Sequence, residues 1–322
     1  MFGSLRYGLA VLVLLSHLAI LGPFGLNLGV SAVVVFYILA GYVISYLLTQ
    51  VFVGRQLIYH FYQDRLWRIL PQYYLALLFS LLIWWLAEPK TPFLSIHPNI
   101  LDWLANLFIV PLNYYMFTGQ DAFTLLPPAW SLGAELQFYL IIPWLLLSLL
   151  ARSIVLAISL CIFMLAQLSF INSDIYGYRL LLGMLFIFYV GIWIQQQRRF
   201  WVAIIGLLAL VYAVWLIHHQ LTTSYLREVA LGLGVGCLLI LLLEKTKPKQ
   251  AALKKLDRWL GNLSYGVFLF HFPVIWLVSY WQITQPGLTV LLVLLLSSIL
   301  AHIGHYALER PLWQSYRKSY QR

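Results

Sequence analysis

The sequence predicts an all-α, polytopic membrane protein of about ten transmembrane helices, with both termini cytoplasmic. Of its 322 residues, 62% are hydrophobic and only 9% are charged. Its mean hydropathy is +0.86, well outside the range of an ordinary soluble domain. Apolar runs recur along the whole chain at the roughly 17–25 residues that a spanning helix needs.

In chain order the predicted spans are 7–21, 28–48, 70–87, 129–150, 153–171, 179–195, 200–217, 225–243, 262–281 and 287–307. The first begins like a signal peptide, but Gly22-Pro23 ends it where a small-residue cleavage site would stand, so it reads as a retained helix. The stretch 100–117 is apolar but interrupted by Pro111 and Asn113, which predicts a short interfacial or re-entrant helix. Span 9 has Asn262 or Ser264 to cap it, and Pro273 predicts a break within it. Glu309-Arg310-Pro311 predicts the end of span 10. The longest outer loop, about 88–126, is rich in Pro, Asn and aromatic residues and suits a lid or an acceptor platform.

Charge sets the orientation. The net charge of +10 would suggest nucleic acid in a soluble chain. Here the basic residues sit in short loops between apolar spans, which is a topology signal, and no nucleic-acid partner is expected. With the N-terminus inside, all of the 20 Lys and Arg residues except Lys90, Arg179 and Arg227 fall on the inner side. Cys161 and Cys237 both lie in apolar runs, in a setting that fits neither a disulfide nor a metal site.

Ionisable side chains within hydrocarbon are costly, and they face protein interiors or water-filled cavities. The predicted spans hold His17, Glu135, His271, His302 and His305. His17 is placed about four residues from the outer end of span 1, and Glu135 seven residues past Pro128, so both fall in the outer half. A neutral His beside a carboxylate is a general-base arrangement. Interhelical hydrogen bonds are the plainer reading of His302 and His305. Arg6 and His17 lie about 16 Å apart along one helix. Arg65 and Arg68, at i and i+3, share a helical face and suit a phosphate, although one or two basic residues there would also serve as a membrane anchor. In Pro128-Ala-Trp130-Ser131-Leu-Gly-Ala-Glu135-Leu-Gln-Phe-Tyr139, Ser131 and Glu135 fall on one face and are expected to bond each other or one ligand. Glu309 is expected to be structural and paired to an Arg.

Several motifs occur together in order: Arg6/His17 spaced as R-x10-H, the run from Gly29 through Tyr37 to Tyr42, Arg65/Arg68 before Ile-Leu-Pro, Trp130-Ser-Leu-x-x-Glu135-x-x-Phe-Tyr139, Leu260-Gly-x-x-Ser-Tyr265 with His271 and Pro273, and Glu309-x-Pro311. In this the chain resembles the membrane acyltransferase-3 family, bacterial proteins that O-acylate polysaccharides and lipids. Ser4 and Tyr7 depart from the acidic residue before the Arg and the Gly after it in many members, and Ala40-Gly41 stands where Ser-Gly is common.

The resemblance implies a single acyltransferase domain over 1–322 without a fused soluble domain, in the bacterial cytoplasmic (inner) membrane. It implies cytoplasmic acyl-CoA, most often acetyl-CoA, as co-substrate, with no tightly bound cofactor and no metal. The expected partners are that donor, a glycan or lipid-linked sugar acceptor, and membrane lipids. His17 and Glu135 are expected to be catalytic. Arg6, Arg65 and Arg68 are expected at the donor, and Trp130, Ser131, Tyr139 and His271 at the substrate. Two routes fit: His17 deprotonates the acceptor hydroxyl for direct attack on the thioester, or His17 is itself acylated first. The competing class is a transporter or proton-coupled exporter, since intramembrane His and Glu also build proton relays. The absence of an internal repeat weighs against it.

Overall fold

The computed structural model describes residues 2–221, 224–246 and 250–320. Lys247, Lys249 and Arg322, counted above with the inner charge, lie outside the described residues. Among those described, the regular structure is all helical, with one isolated bridge, Leu94 to Phe123, and no strand. Thirteen α-helices follow in order: α1 Phe2–His17, α2 Leu28–Tyr46, α3 Ile58–Ala87, α4 Ile100–Phe108, α5 Tyr115–Thr118, α6 Ala129–Leu147, α7 Leu149–Gln167, α8 Leu181–Gln195, α9 Arg199–His218, α10 Leu226–Lys245, α11 Ala251–Tyr280, α12 Pro286–Ile303 and α13 Arg310–Tyr320.

Among the described residues, nine helical stretches are long and apolar enough to cross a membrane, and α1 is a shorter apolar helix of 16 residues. The stretch 100–118 folds as α4 and a following helical segment bent by 109° at the break. Ile109, at φ 67°, makes that bend. A capping box starts α4, with Asn99 accepting from the Asp102 amide and Asp102 accepting from the Asn99 amide.

The structure corrects several boundaries. α1 stops at His17 rather than 21, because Ala19 takes a left-handed φ of 58°. α3 starts at Ile58, twelve residues before the predicted span, so Arg65 and Arg68 lie on the helix. Ser148 caps α7, its side chain accepting from the Ala151 amide, which places Arg152 inside the first turn. α11 starts at Ala251, so Asn262 and Ser264 are interior and cap nothing; Ser264 Oγ donates to Gly261 O. Pro273 does not break α11, which runs continuously through it. Membrane helices tolerate proline where neighbouring groups satisfy the freed backbone. Pro311 does not end the last span: a π-helical turn, Gly304–Glu309, passes directly into α13, and Pro311 lies within that continuous helical stretch.

The chain forms two compact units. One holds α2, most of α6 and α7–α10. Its centre is the crossing of α2 and α8, where small residues let the backbones approach. A Cβ on Gly41 would stand 1.7 Å from Phe188 O, and one on Gly191 would stand 1.9 Å from Ile38 O. α10 closes against α2, with Ser31 Oγ donating to Glu228 O at 2.7 Å.

The other unit holds α1, α3–α5, the start of α6 and α11–α13. Gly3 lets the first turn of α1 reach α11, where Ser4 donates from its amide and its hydroxyl to Asp257 Oδ1, each at 2.8 Å. Tyr7 OH lies 2.9 Å from Ser298 Oγ. Ser4 and Tyr7, the two departures noted in the first span, thus both tie α1 down. The segment 88–126 packs on α3 through a ring cluster of Trp84, Trp103 and Phe123. Buried Asn106 fastens the same segment, donating to Phe123 O, accepting from the Leu125 amide, and offering its own carbonyl to Tyr73 OH.

Candidate active site

His17 is the last residue of α1, with an exposed side chain. Its Nδ1 lies 3.0 Å from Nε2 of His271 on α11, and the two ring planes are nearly parallel, at 10°. His271 is completely buried, and its Nδ1 lies 3.1 Å from Val267 O. These contacts fix the proton positions. A carbonyl oxygen only accepts, so His271 Nδ1 carries a hydrogen. The Nε2 of a neutral His271 is then an acceptor, and His17 Nδ1–H donates to it. The second nitrogen of His17, Nε2, keeps its lone pair. Val267 O, His271 and His17 thus form a hydrogen-bonded series that leaves His17 Nε2, without a hydrogen, at the end of α1. The ring that orients His17 is another imidazole, 254 positions away in the chain, where the sequence suggested a carboxylate.

Phe272 packs on His17 with ring centroids 4.6 Å apart, and Phe93, from the segment 88–126, packs edge-on against Phe272 at 5.4 Å. The expected lid or platform therefore reaches the aromatic wall of the imidazole pair. Trp276 and Ile83 complete that apolar cluster.

The basic residues form a second group in the same unit. Arg65 is ion-paired with the fully buried Asp64 beside it, through Nε and Nη2. Asp64 also accepts from Trp313 Nε1 and Arg317 Nε of α13, each at 2.8 Å. Arg68 pairs with Glu309, as expected for that acid, and Glu309 also lies 3.1 Å from His305 Nδ1. His302 Nδ1 accepts from Trp259 Nε1 at 3.4 Å. Arg6 is half-buried on α1, eleven residues before His17. The structure thus ties Arg65 to α13 through Asp64, and ties Arg68 to Glu309 in the π-helical turn and to the ring of Trp313 on α13, partners that sequence spacing did not reveal.

At the start of α6, Ser131 Oγ donates to Pro128 O at 3.0 Å instead of bonding Glu135, and Trp130 lies half-buried in the same turn. Glu135 accepts from Tyr139 OH, one turn further along. Around this pair, the unit built on α2 holds a polar group that residue patterns only partly flagged. Tyr37 is buried, stacked on Phe188 at 4.5 Å, and lies within charge-interaction range of Glu135, Tyr178 and Arg179. Its hydroxyl has no hydrogen-bond partner among the described residues. Arg179 pairs with Asp174 at 3.0 Å and lies over the Tyr178 ring. Tyr37 was visible in the span 2 run, but a tyrosine in an apolar helix carries no sign of its depth or neighbours.

Fold and imidazole pair together define a multi-pass membrane protein with a hydrogen-bonded pair of histidines joining α1 to α11. The chain belongs to the acyltransferase-3 family: the family's model, described as an acyltransferase domain, matches residues 3–307. It is therefore a membrane acyltransferase, and the transporter reading falls away. Among curated proteins it is similar to an uncharacterized protein of Aquifex aeolicus, 34% identical over 182 residues that cover 54% of this chain and 80% of that protein. It is also similar to the peptidoglycan O-acetyltransferase OatA of Listeria monocytogenes, 24% identical over 336 aligned positions that cover 88% of this chain and 51% of that protein. The chain thus spans about half the length of the Listeria protein. No solved structure matches it.

Proposed function

We propose that the chain transfers an acyl group, acetyl in the first instance, from cytoplasmic acyl-CoA to a hydroxyl of a glycan or lipid-linked sugar at the outer face of a bacterial cytoplasmic membrane. The observation that carries this reading is the hydrogen-bonded series Val267 O, His271, His17, which leaves His17 Nε2 as a base. The relative named as a peptidoglycan O-acetyltransferase supports a sugar hydroxyl as the acceptor.

In this mechanism His17 Nε2 removes the proton of the acceptor hydroxyl as its oxygen attacks the thioester carbonyl. The new C–O bond forms, the C–S bond breaks, and the departing thiolate takes the proton from His17 Nε2. His271 Nε2 accepts from His17 Nδ1 throughout and stabilises the transient imidazolium, so His271 acts as a positioning residue. Arg65 and Arg68 bind phosphate groups of the donor, with Asp64 and Glu309 holding the guanidinium groups in place, and Arg6 belongs to the same donor end. Glu135, Tyr139, Trp130 and Ser131 serve the acceptor.

The test is acyl-CoA turnover by purified protein reconstituted in lipid, with a glycan acceptor. His17→Ala removes general-base assistance worth roughly 10²–10⁴-fold and should abolish measurable transfer while the protein stays folded. Wild-type turnover in a well-folded His17→Ala protein would overturn the reading.

A further inference from the structure

A groove in the unit built on α2 has a chemistry of its own. It lies between α7, α8 and α9, with a volume of about 560 Å³, inside the range of sites that bury a ligand. Leu160 and Met164 of α7, Trp193 of α8, and Leu208 and Ala209 of α9 line it, and its wall is almost wholly apolar. α7 and α9 are among the least buried of the spanning helices, so the groove lies along helices that face lipid.

Apolar shape alone would not hold a lipid there, because a tail gains nothing by leaving other tails for leucine. The exception in the wall is Gln167. It is 5% exposed, and neither Nε2 nor Oε1 has a hydrogen-bond partner among the described residues. Its backbone carbonyl is already taken by Tyr212 OH at 2.7 Å, which fixes the residue in place. An unsatisfied amide in a dry setting is costly, and a ligand supplying an acceptor and a donor relieves that cost.

Position narrows the ligand. Gln167 is the last residue of α7, a spanning helix, and the ends of such helices meet the edge of the hydrocarbon. The groove follows α7 back to Leu156, about 16 Å deeper. A glycerolipid matches that layout: its ester groups lie at the edge of the hydrocarbon and its chains run inward.

We propose that this groove is a specific site for one bilayer glycerolipid. One acyl chain fills it, an ester carbonyl accepts from Gln167 Nε2, and a headgroup hydroxyl or ammonium donates to Oε1.

The experiment counts lipid retained after exhaustive detergent washing of the full chain, purified from membranes containing phosphatidylglycerol and phosphatidylethanolamine, by mass spectrometry of the extract. Wild type should keep about one glycerolipid per chain. Gln167→Leu, similar in size but without the amide, should lower retention at least ~threefold. Ala209→Trp, which fills the groove, should remove it. Helical content and monodispersity check that each variant folds, and Gln167→Leu alone decides if Ala209→Trp does not. Equal retention by wild type and Gln167→Leu would overturn the proposal, as would a wild type that holds no lipid or holds a free fatty acid or acyl-CoA instead.

Discussion

His17 Nδ1 donates to His271 Nε2 across 3.0 Å, and the rest of the proposed catalytic chemistry follows from that single bond. It links the end of α1 to the buried middle of α11 and selects which nitrogen of His17 stays basic.

His271→Phe keeps an aromatic ring but removes the acceptor, so His17 is free to rotate and to exchange tautomers. Orienting partners of this kind are worth roughly 10–100-fold where they hold an imidazole on a metal, and a comparable loss in kcat is expected here. Acyl-CoA affinity should not change, and the pH–rate profile should move. Unchanged kcat and pH profile would remove the positioning role.

Arg65→Ala and Arg68→Ala should each weaken acyl-CoA binding. A hydrogen bond to a charged group is worth about 1.5–3 kcal/mol, or roughly 10–150-fold in Kd. Lys should restore binding only in part, because it lacks the planar fork. Calorimetric titration with coenzyme A reads this directly. If both Ala variants bind as wild type does, the two arginines are ion-pair partners of Asp64 and Glu309 and nothing more.

Orientation has a direct test. In a background without Cys161 and Cys237, single cysteines at Ser95 and Gln250 are exposed to an impermeant thiol reagent on intact cells. Ser95 should label and Gln250 should not. Labelling at Gln250 alone inverts the map and removes cytoplasmic acyl-CoA from Arg65 and Arg68. Labelling at both means that the bent pair 100–118 crosses the membrane.

Gly41→Ala should destabilise the unit built on α2, since its methyl would stand 1.7 Å from Phe188 O and the helices would have to separate. Overpacking of this kind costs typically about 1–3 kcal/mol. Gly8 of α1 has open space around its Cβ position, and Ala there should be neutral or stabilising by up to about 1 kcal/mol. Thermal unfolding in detergent distinguishes the two. Equal midpoints would contradict the close crossing.

The spans were legible because hydrocarbon demands long apolar runs, and only their edges were misread. Tyr59 to Arg68 of α3 is too polar to register as a span, yet it stays helical because Asp64 finds Arg65, Arg317 and Trp313. Proline misled at 273 and 311 because its cost depends on which backbone groups surround it. His17 stood out as a candidate base because a histidine in a spanning segment needs a reason. His271 stood out as well, as a substrate residue, but its pairing with His17 did not, since no local pattern ties position 17 to position 271. Glu309 was legible as one half of an ion pair, but choosing Arg68 as the other half required the fold.

α1 ends at His17, and Ala19 turns the chain away two residues later. A spanning helix ends where hydrocarbon gives way to the headgroups. On the proposed mechanism the base therefore stands at the edge of the barrier rather than in its middle, where a hydroxyl presented at the membrane surface reaches it and the released proton has a short route to bulk water.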